Sequence, residues 1–333
     1  MMRGWAALAV ACCLLATPAA ARVLEVGPGR TYAAPSAAAA AARDGDTVAI
    51  AAGEYFDCAV WAASNLIIAG AEGGGAVVLT DRACEGKAAF VVRGNGVTLR
   101  GLTFTRIRVP DGNGAGVRAE GRDLTVADSR FINDQDGILA AGGGFLRIDG
   151  CIFADNGAAD RPPTHAVIAS GLELLRIEGS EFLRPRGGDL IAATVLRTEL
   201  DGNRLSDVGG HIAGPLVTIS GGAVALTGNT IEIGGADRPG AVLVTGAVTA
   251  LEVRGNTLIE LSGSVPMVRN WSGTEATEAD NRARPGVPAV SGSESTWHRL
   301  RAELAQLREQ AHGLVGAARH RAAALARALK LIQ

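Results

Sequence analysis

The chain has 333 residues, a formal net charge of −2, 47% apolar residues, 4% aromatics and 45 glycines. A near-neutral balance without a Lys/Arg stripe or interleaved aromatics excludes a nucleic-acid surface. Many glycines among Val, Ile and Leu indicate short strands joined by tight turns in one elongated body.

Residues 1–21 read as a secretory signal. Arg3 supplies the positive start, residues 5–16 the apolar core and Ala19-Ala20-Ala21 a small-residue cleavage site. The apolar run is too short to span a bilayer, and no second run of spanning length follows. The mature chain is therefore expected in the periplasm or outside the cell. Residues 23–26 suit a first strand. Residues 35–43 suit an alanine-rich helix with Pro35 or Ser36 at its start, which would cover the open end of a stack of strands. Residues 47–51, 65–69 and 88–92 suit further strands.

From Val97 to Leu258 one pattern recurs seven times: apolar, any, apolar, any, a Gly or Asp pivot, two residues, then a large apolar residue. Leu146-Arg-Ile-Asp-Gly150-Cys-Ile-Phe153 is a typical copy. The pivots Gly101, Asp128, Gly150, Gly179, Gly202, Gly228 and Gly255 lie 22 to 29 residues apart. Period-2 strands in a repeat of that length form a solenoid. Three strands fit each repeat, as at residues 137–140, 145–148 and 152–153. Two ladders support the stacking. The large residue three after the pivot reads Phe104, Phe131, Phe153, Phe182, Leu205, Ile231 and Leu258, an interior column. The residue one after the pivot becomes Asn203, Asn229 and Asn256, where Asn can bond neighbouring turns.

Three cysteines follow the signal. Cys58 and Cys84 are 26 residues apart, one repeat. Stacked rungs lie about 4.8 Å apart, within disulfide reach, and export permits the bond. Cys58–Cys84 is the expected pair. Cys151, just after its pivot, is expected to be free and packed in its turn.

Six segments carry a specific resemblance: Val26-Gly-Pro-Gly-Arg-Thr-Tyr32, Asp44-Gly-Asp-Thr47, Ala59-Val-Trp61, Gly86-Lys-Ala-Ala-Phe90, Asn113-Gly-Ala-Gly-Val-Arg-Ala-Glu-Gly121 and Asp136-Gly-Ile-Leu139. Over residues 23–262 the chain resembles the right-handed parallel β-helix repeat proteins of the pectate-lyase-like superfamily, and within it a bacterial exported subgroup of undefined function. The resemblance implies an all-β, single-stranded right-handed parallel β-helix. Eight to nine rungs are expected across residues 22–272, with the N-terminal helix as a cap.

Enzymes of that superfamily usually work on polysaccharide along the face of the first strand of each rung. That directs attention to Asp136, His165 and Asp189, which align on three neighbouring rungs. A His between two carboxylates has its charged form favoured, and such a trio could serve as acid and base on a glycosidic bond or a sugar C5 proton. Asp134, Arg118, Arg184 and Arg186 are the candidate substrate-binding residues around it. The competing reading is a ladder of strand-entry hydrogen bonds that ties loops down. It is favoured by the outward positions Arg118, Leu139, Ile168, Ala192 and Thr218, a mostly apolar row without aromatic platforms. The resemblance adds that polar positions of the subgroup near residues 168–194 are Ala192 and Thr194 here. Asp134 and Asp136 offer two carboxylates where Ca²⁺ needs six to eight oxygens. No HExxH, paired CxxC, P-loop or GxSxG motif occurs, so no metal or cofactor is expected. Charges on the second strands (Arg147, Arg176, Asp149, Glu178, Asp201) read as exposed ion pairs, and Lys87 and Arg93 as isolated surface charges.

Residues 273–296, rich in Gly, Pro, Ser, Thr and charge, read as a linker or wrapping segment. Residues 297–333 read as an amphipathic helix with Leu300, Leu304, Leu307, Ala311, Leu314, Ala318 and Leu325 on one stripe. Its seven Lys/Arg against two Glu over 299–330 suit packing on the body or self-association, ahead of a membrane surface. Three functions follow: a noncatalytic exported protein that binds envelope or extracellular polysaccharide or is structural; a polysaccharide lyase, hydrolase or epimerase; and an adhesion or assembly module acting through the tail.

Overall fold

A computed structural model of the protein describes residues 21–71, 73–158, 164–212, 214–235, 238–261 and 263–292. The signal residues 1–20 and the tail at 297–333 lie outside the described residues.

The described chain is a parallel β-solenoid of about ten turns. A regular turn contributes a first, a second and a third strand, for example Asp136–Ala140, Phe145–Asp149 and Ile152–Ala154. The strand pairings between successive turns are parallel, and their register slips only at the Gly221-Gly222 corner. The third strands form a nine-stranded sheet, and the first and second strands a nineteen-stranded one. The latter join because the corner between them tightens to Gly221-Gly222 and Gly246. There Val217–Thr227 and Val242–Arg254 run through both columns as single strands.

The turn count exceeds the eight to nine expected. Val23–Val26 pairs with Thr47–Ile50, which pairs with Ile67–Gly70, so second-column strands begin before the regular repeat. At the other end the residues read as a linker hold Ala276–Ala279 and Val290–Ser291, which pair with the preceding turn. Asp280 there takes the pivot conformation (φ 55°), and Asn281 continues the asparagine ladder. The helix α1 spans Pro35–Ala41, two residues shorter than expected. Proline opens it, the Asp57 carboxylate accepts the Ser36 N–H at 2.8 Å, and Ala38 is buried in the core.

The pivot is explained by backbone geometry. Gly101, Asp128, Gly150, Gly179, Gly202, Gly228 and Gly255 all have φ between 49° and 66°, the left-handed region that Gly enters freely and Asp tolerates. The next residue turns inward and satisfies the buried turn. Asn229 Oδ1 accepts the Asn203 N–H at 2.9 Å, and its Nδ2 donates to Leu200 O at 2.8 Å. Asn203 and Asn256 repeat this. Ser180 and Ser129 hold the same position nearer the N-terminus. Cys151 stands between them, free and buried, and burial pushes its thiol up to about 12.

Phe104, Phe131, Phe153 and Phe182 lie in one interior column, successive ring centroids 5.0, 4.7 and 4.6 Å apart and nearly parallel. Leu79 precedes them in register, and Leu205, Ile231 and Leu258 follow. Cys58 and Cys84 form the expected disulfide, Cα atoms 5.4 Å apart. Arg147 and Arg176 stack as expected, and Arg147 also covers the Phe145 ring at 4.4 Å. Lys87 and Arg93 are not isolated: with Glu85 and Glu120 they close a ring of four ion pairs.

Candidate functional site: the first-strand face

The outward residues of the first strands form one column: Val60, Val91, Arg118, Leu139, Ile168, Ala192, Thr218, Leu243, Arg269 and Ser291. At about 4.8 Å per turn it is roughly 43 Å long. Most of its members are half-buried, including Arg118, Leu139 and Ile168.

Asp136, His165 and Asp189 come to equivalent positions on successive turns, each two residues before the paired Ile138, Val167 and Ile191. They touch through the backbone. Asp136 Oδ1 accepts the His165 N–H at 2.7 Å, and His165 Nδ1 accepts the Asp189 N–H at 3.0 Å. Asp136 and His165 are 1% and 5% exposed, beneath the face rather than on it. Burial raises the Asp136 carboxyl to about 6, against the pull of the His165 N–H and of Arg118 nearby.

The remaining candidates divide. Asp134 is fully buried in the turn before this strand, where its Oδ1 accepts the Ile107 N–H at 2.8 Å. Arg184 and Arg186 are exposed and converge on Asp155, at 2.8 and 3.5 Å, along the ridge that follows the third strands. The structure therefore unites the trio, sets Arg118 on the face beside it, buries Asp134 and moves Arg184 and Arg186 to the flank. Among the described residues no cluster of metal-ligating side chains occurs.

Sequence reasoning missed Gln135. Its Oε1 accepts the Val109 and Gly114 N–H groups, each at 2.8 Å, and its Nε2 donates to Val109 O at 3.2 Å. One buried amide thus closes the loop 107–114 beside the face. The only trace in the sequence is a long interval between Phe104 and Ala115 followed by polar Asp134-Gln135-Asp136. Asn156 was missed too: its Oδ1 accepts the Asp134 N–H and its Nδ2 donates to Phe131 O.

A family model described as a right handed beta helix region matches residues 88–279. No curated protein matches the chain. Among solved structures it is similar to AlyGC, a PL6 family alginate lyase, at 16% identity and TM-score 0.49. That alignment covers 83% of this chain but only 39% of the lyase. It is similar also to pectate lyase Pel9A, at 13% identity and TM-score 0.44, covering 83% and 82% of the two chains. For the pectin methylesterase PemA from Erwinia chrysanthemi the values are 12%, 0.39, 84% and 82%. With more than half its length matched and its strands wound as parallel coils, the chain belongs to the right-handed β-helix family.

Proposed function

We propose that this is an exported β-helix that binds an extended envelope or extracellular polysaccharide along its first-strand face, without strong catalytic machinery. The observation that carries the reading is the state of the trio. The Asp136 carboxyl and the His165 imidazole are buried and bonded to the backbone of the next turn, while Asp189 is half-buried. A polymer on the face would meet the half-buried column from Val60 to Ser291, with Arg118 on it and Arg184 and Arg186 at its flank. The disulfide suits an oxidising compartment. In the same reading α1 shields the first turn.

The test is a panel of polysaccharides assayed for retention and for released product. Retention without cleavage is expected. Turnover of a retained polymer that His165→Ala abolishes would overturn the noncatalytic part, and failure to retain any polymer would overturn the whole. One observation favours the second reading, a lyase, hydrolase or epimerase. A carboxyl raised to about 6 beside an imidazole is suited to acid catalysis in mildly acidic surroundings.

A further inference from the structure

The solenoid's first ladder bond is made by Arg22, whose carbonyl accepts the Thr47 N–H at 2.8 Å. The same residue is gripped by Asp46, a carboxylate with a side chain 3% exposed. Asp46 Oδ1 accepts the Arg22 backbone N–H at 3.1 Å and its Nε–H at 3.2 Å. Oδ2 accepts from Arg22 Nη2 at 2.5 Å and from the Arg43 N–H at 2.9 Å. Arg22 Nη2 also donates to the carbonyl of Ala41, the last residue of α1, at 3.0 Å. Ala21, one residue earlier, is exposed. The fold thus engages the chain from the Arg22 nitrogen onward, and that nitrogen follows Ala19-Ala20-Ala21, whose small side chains suit a signal endopeptidase.

We propose that the Ala21–Arg22 peptide bond is a processing site, and that the α-ammonium released on Arg22 is held by the buried carboxylate of Asp46. Hydrolysis adds one water: the C–N bond breaks, Ala21 leaves as a carboxylate, and the Arg22 nitrogen takes up protons to become an ammonium. An amide N–H on a carboxylate becomes an ammonium–carboxylate ion pair at a site already built for it. Asp46 is ready for that role. The Arg22 guanidinium, with the N–H groups of Arg43 and Arg22, holds its carboxyl well below the usual carboxylate range, so it is ionised at neutral pH. The charged groups facing the new ammonium are the Asp46 carboxylate and the guanidinium of Arg22 itself, which share that carboxylate.

The experiment exports the full-length chain from a Gram-negative host and reads the product by N-terminal sequencing and intact mass. A chain beginning at Arg22 is expected; a retained leader or any other first residue overturns the proposal. The ammonium is then probed with an amine-acylating reagent at pH 7, followed by mass spectrometry of the N-terminal peptide. Pairing with Asp46 raises the amine's pKa, and one unit leaves about tenfold less free amine. Acylation at least about tenfold slower than in Asp46→Asn is expected. Equal rates overturn the Asp46 contact. Should Asp46→Asn not accumulate folded, the wild-type chain unfolded in urea is the reference, with the same ratio and the same overturning result.

Discussion

Asp134 occupies an asparagine's place in a ladder. One turn later Asn156 accepts an N–H with Oδ1 and gives Nδ2 to Phe131 O. Asp134 repeats the first bond, to Ile107 N, while its Oδ2 is buried without a partner. The register sets that oxygen toward the carbonyl of Phe104, the residue paired with Phe131. Burial and the neighbouring Asp136 raise the carboxyl well above its ordinary value, against the pull of Ile107 N–H and Arg108. A protonated Oδ2 can donate where an amide would. Because the folded state binds this proton more tightly than the unfolded chain, stability falls as pH rises above about 4 toward the folded value. Asp136 adds to the loss up to about 6. Asp134→Asn is therefore expected to stabilise by about 1–2 kcal/mol at pH 8 and by less at pH 4. Urea midpoints at the two values check it, and a variant weaker at pH 8 would sink the idea. Asn229→Asp is the mirror experiment. It sets a carboxylate oxygen against Leu200 O and Asn256 Oδ1, and should cost about 2–3 kcal/mol at pH 8 with partial recovery near pH 4.

At the level of elements, the Cys58–Cys84 bond ties together segments that enter two paired first strands, Ala59–Trp61 and Ala88–Val92. Outside the main core, Ala88, Val91 and Ala115 make a small apolar cluster against which Cys84, Val60 and Leu139 pack. The ring of Lys87, Arg93, Glu85 and Glu120 closes around the same strands, with side chains about one-third exposed. Exposed ion pairs contribute little individually, so the covalent bond is expected to dominate. Closing a loop of this length stabilises by about 3 kcal/mol. Reduction, or Cys58→Ser with Cys84→Ser, should lower the unfolding free energy read from urea titration by that amount. It should also raise hydrogen exchange in Ala59–Trp61 and Ala88–Val92 before the strands near Val253. Unchanged exchange in the first two would show that the ion ring and apolar cluster hold that end alone.

Across the whole molecule, what the sequence discloses is what each turn repeats. The pivot is legible because one φ value must recur at Gly101, Gly150 and Gly255. The phenylalanine column is legible because a stack of equal turns puts equal side chains in line. The register of Asp136, His165 and Asp189 follows from the same arithmetic. The burial of Asp136 and His165 does not, since it depends on loops such as 107–114, closed by Gln135, that lie outside the repeated pattern. The place of Asp134 in the asparagine ladder is not legible either, because a carboxylate spelled in the sequence does not disclose that it stands where an amide would. The turn at Asp280-Asn281 was missed because Glu278 and Ala283 break the apolar pattern around an intact pivot. A solenoid in which each turn touches mainly its neighbours has a stability close to a sum of turns and interfaces. Phe153 lies mid-stack, between Phe131 and Phe182. Phe153→Ala should cost about 3–5 kcal/mol from lost transfer energy and the cavity left behind, plus part of two ring contacts. Nearest-neighbour coupling then predicts a local lesion. Exchange protection should fall in Arg130–Ile132, Ile152–Ala154 and Glu181–Leu183, while Val77–Thr80 and Thr257–Glu260 keep theirs. Uniform loss along the whole length would mean that the turns unfold as one cooperative unit, and the additive picture would fail.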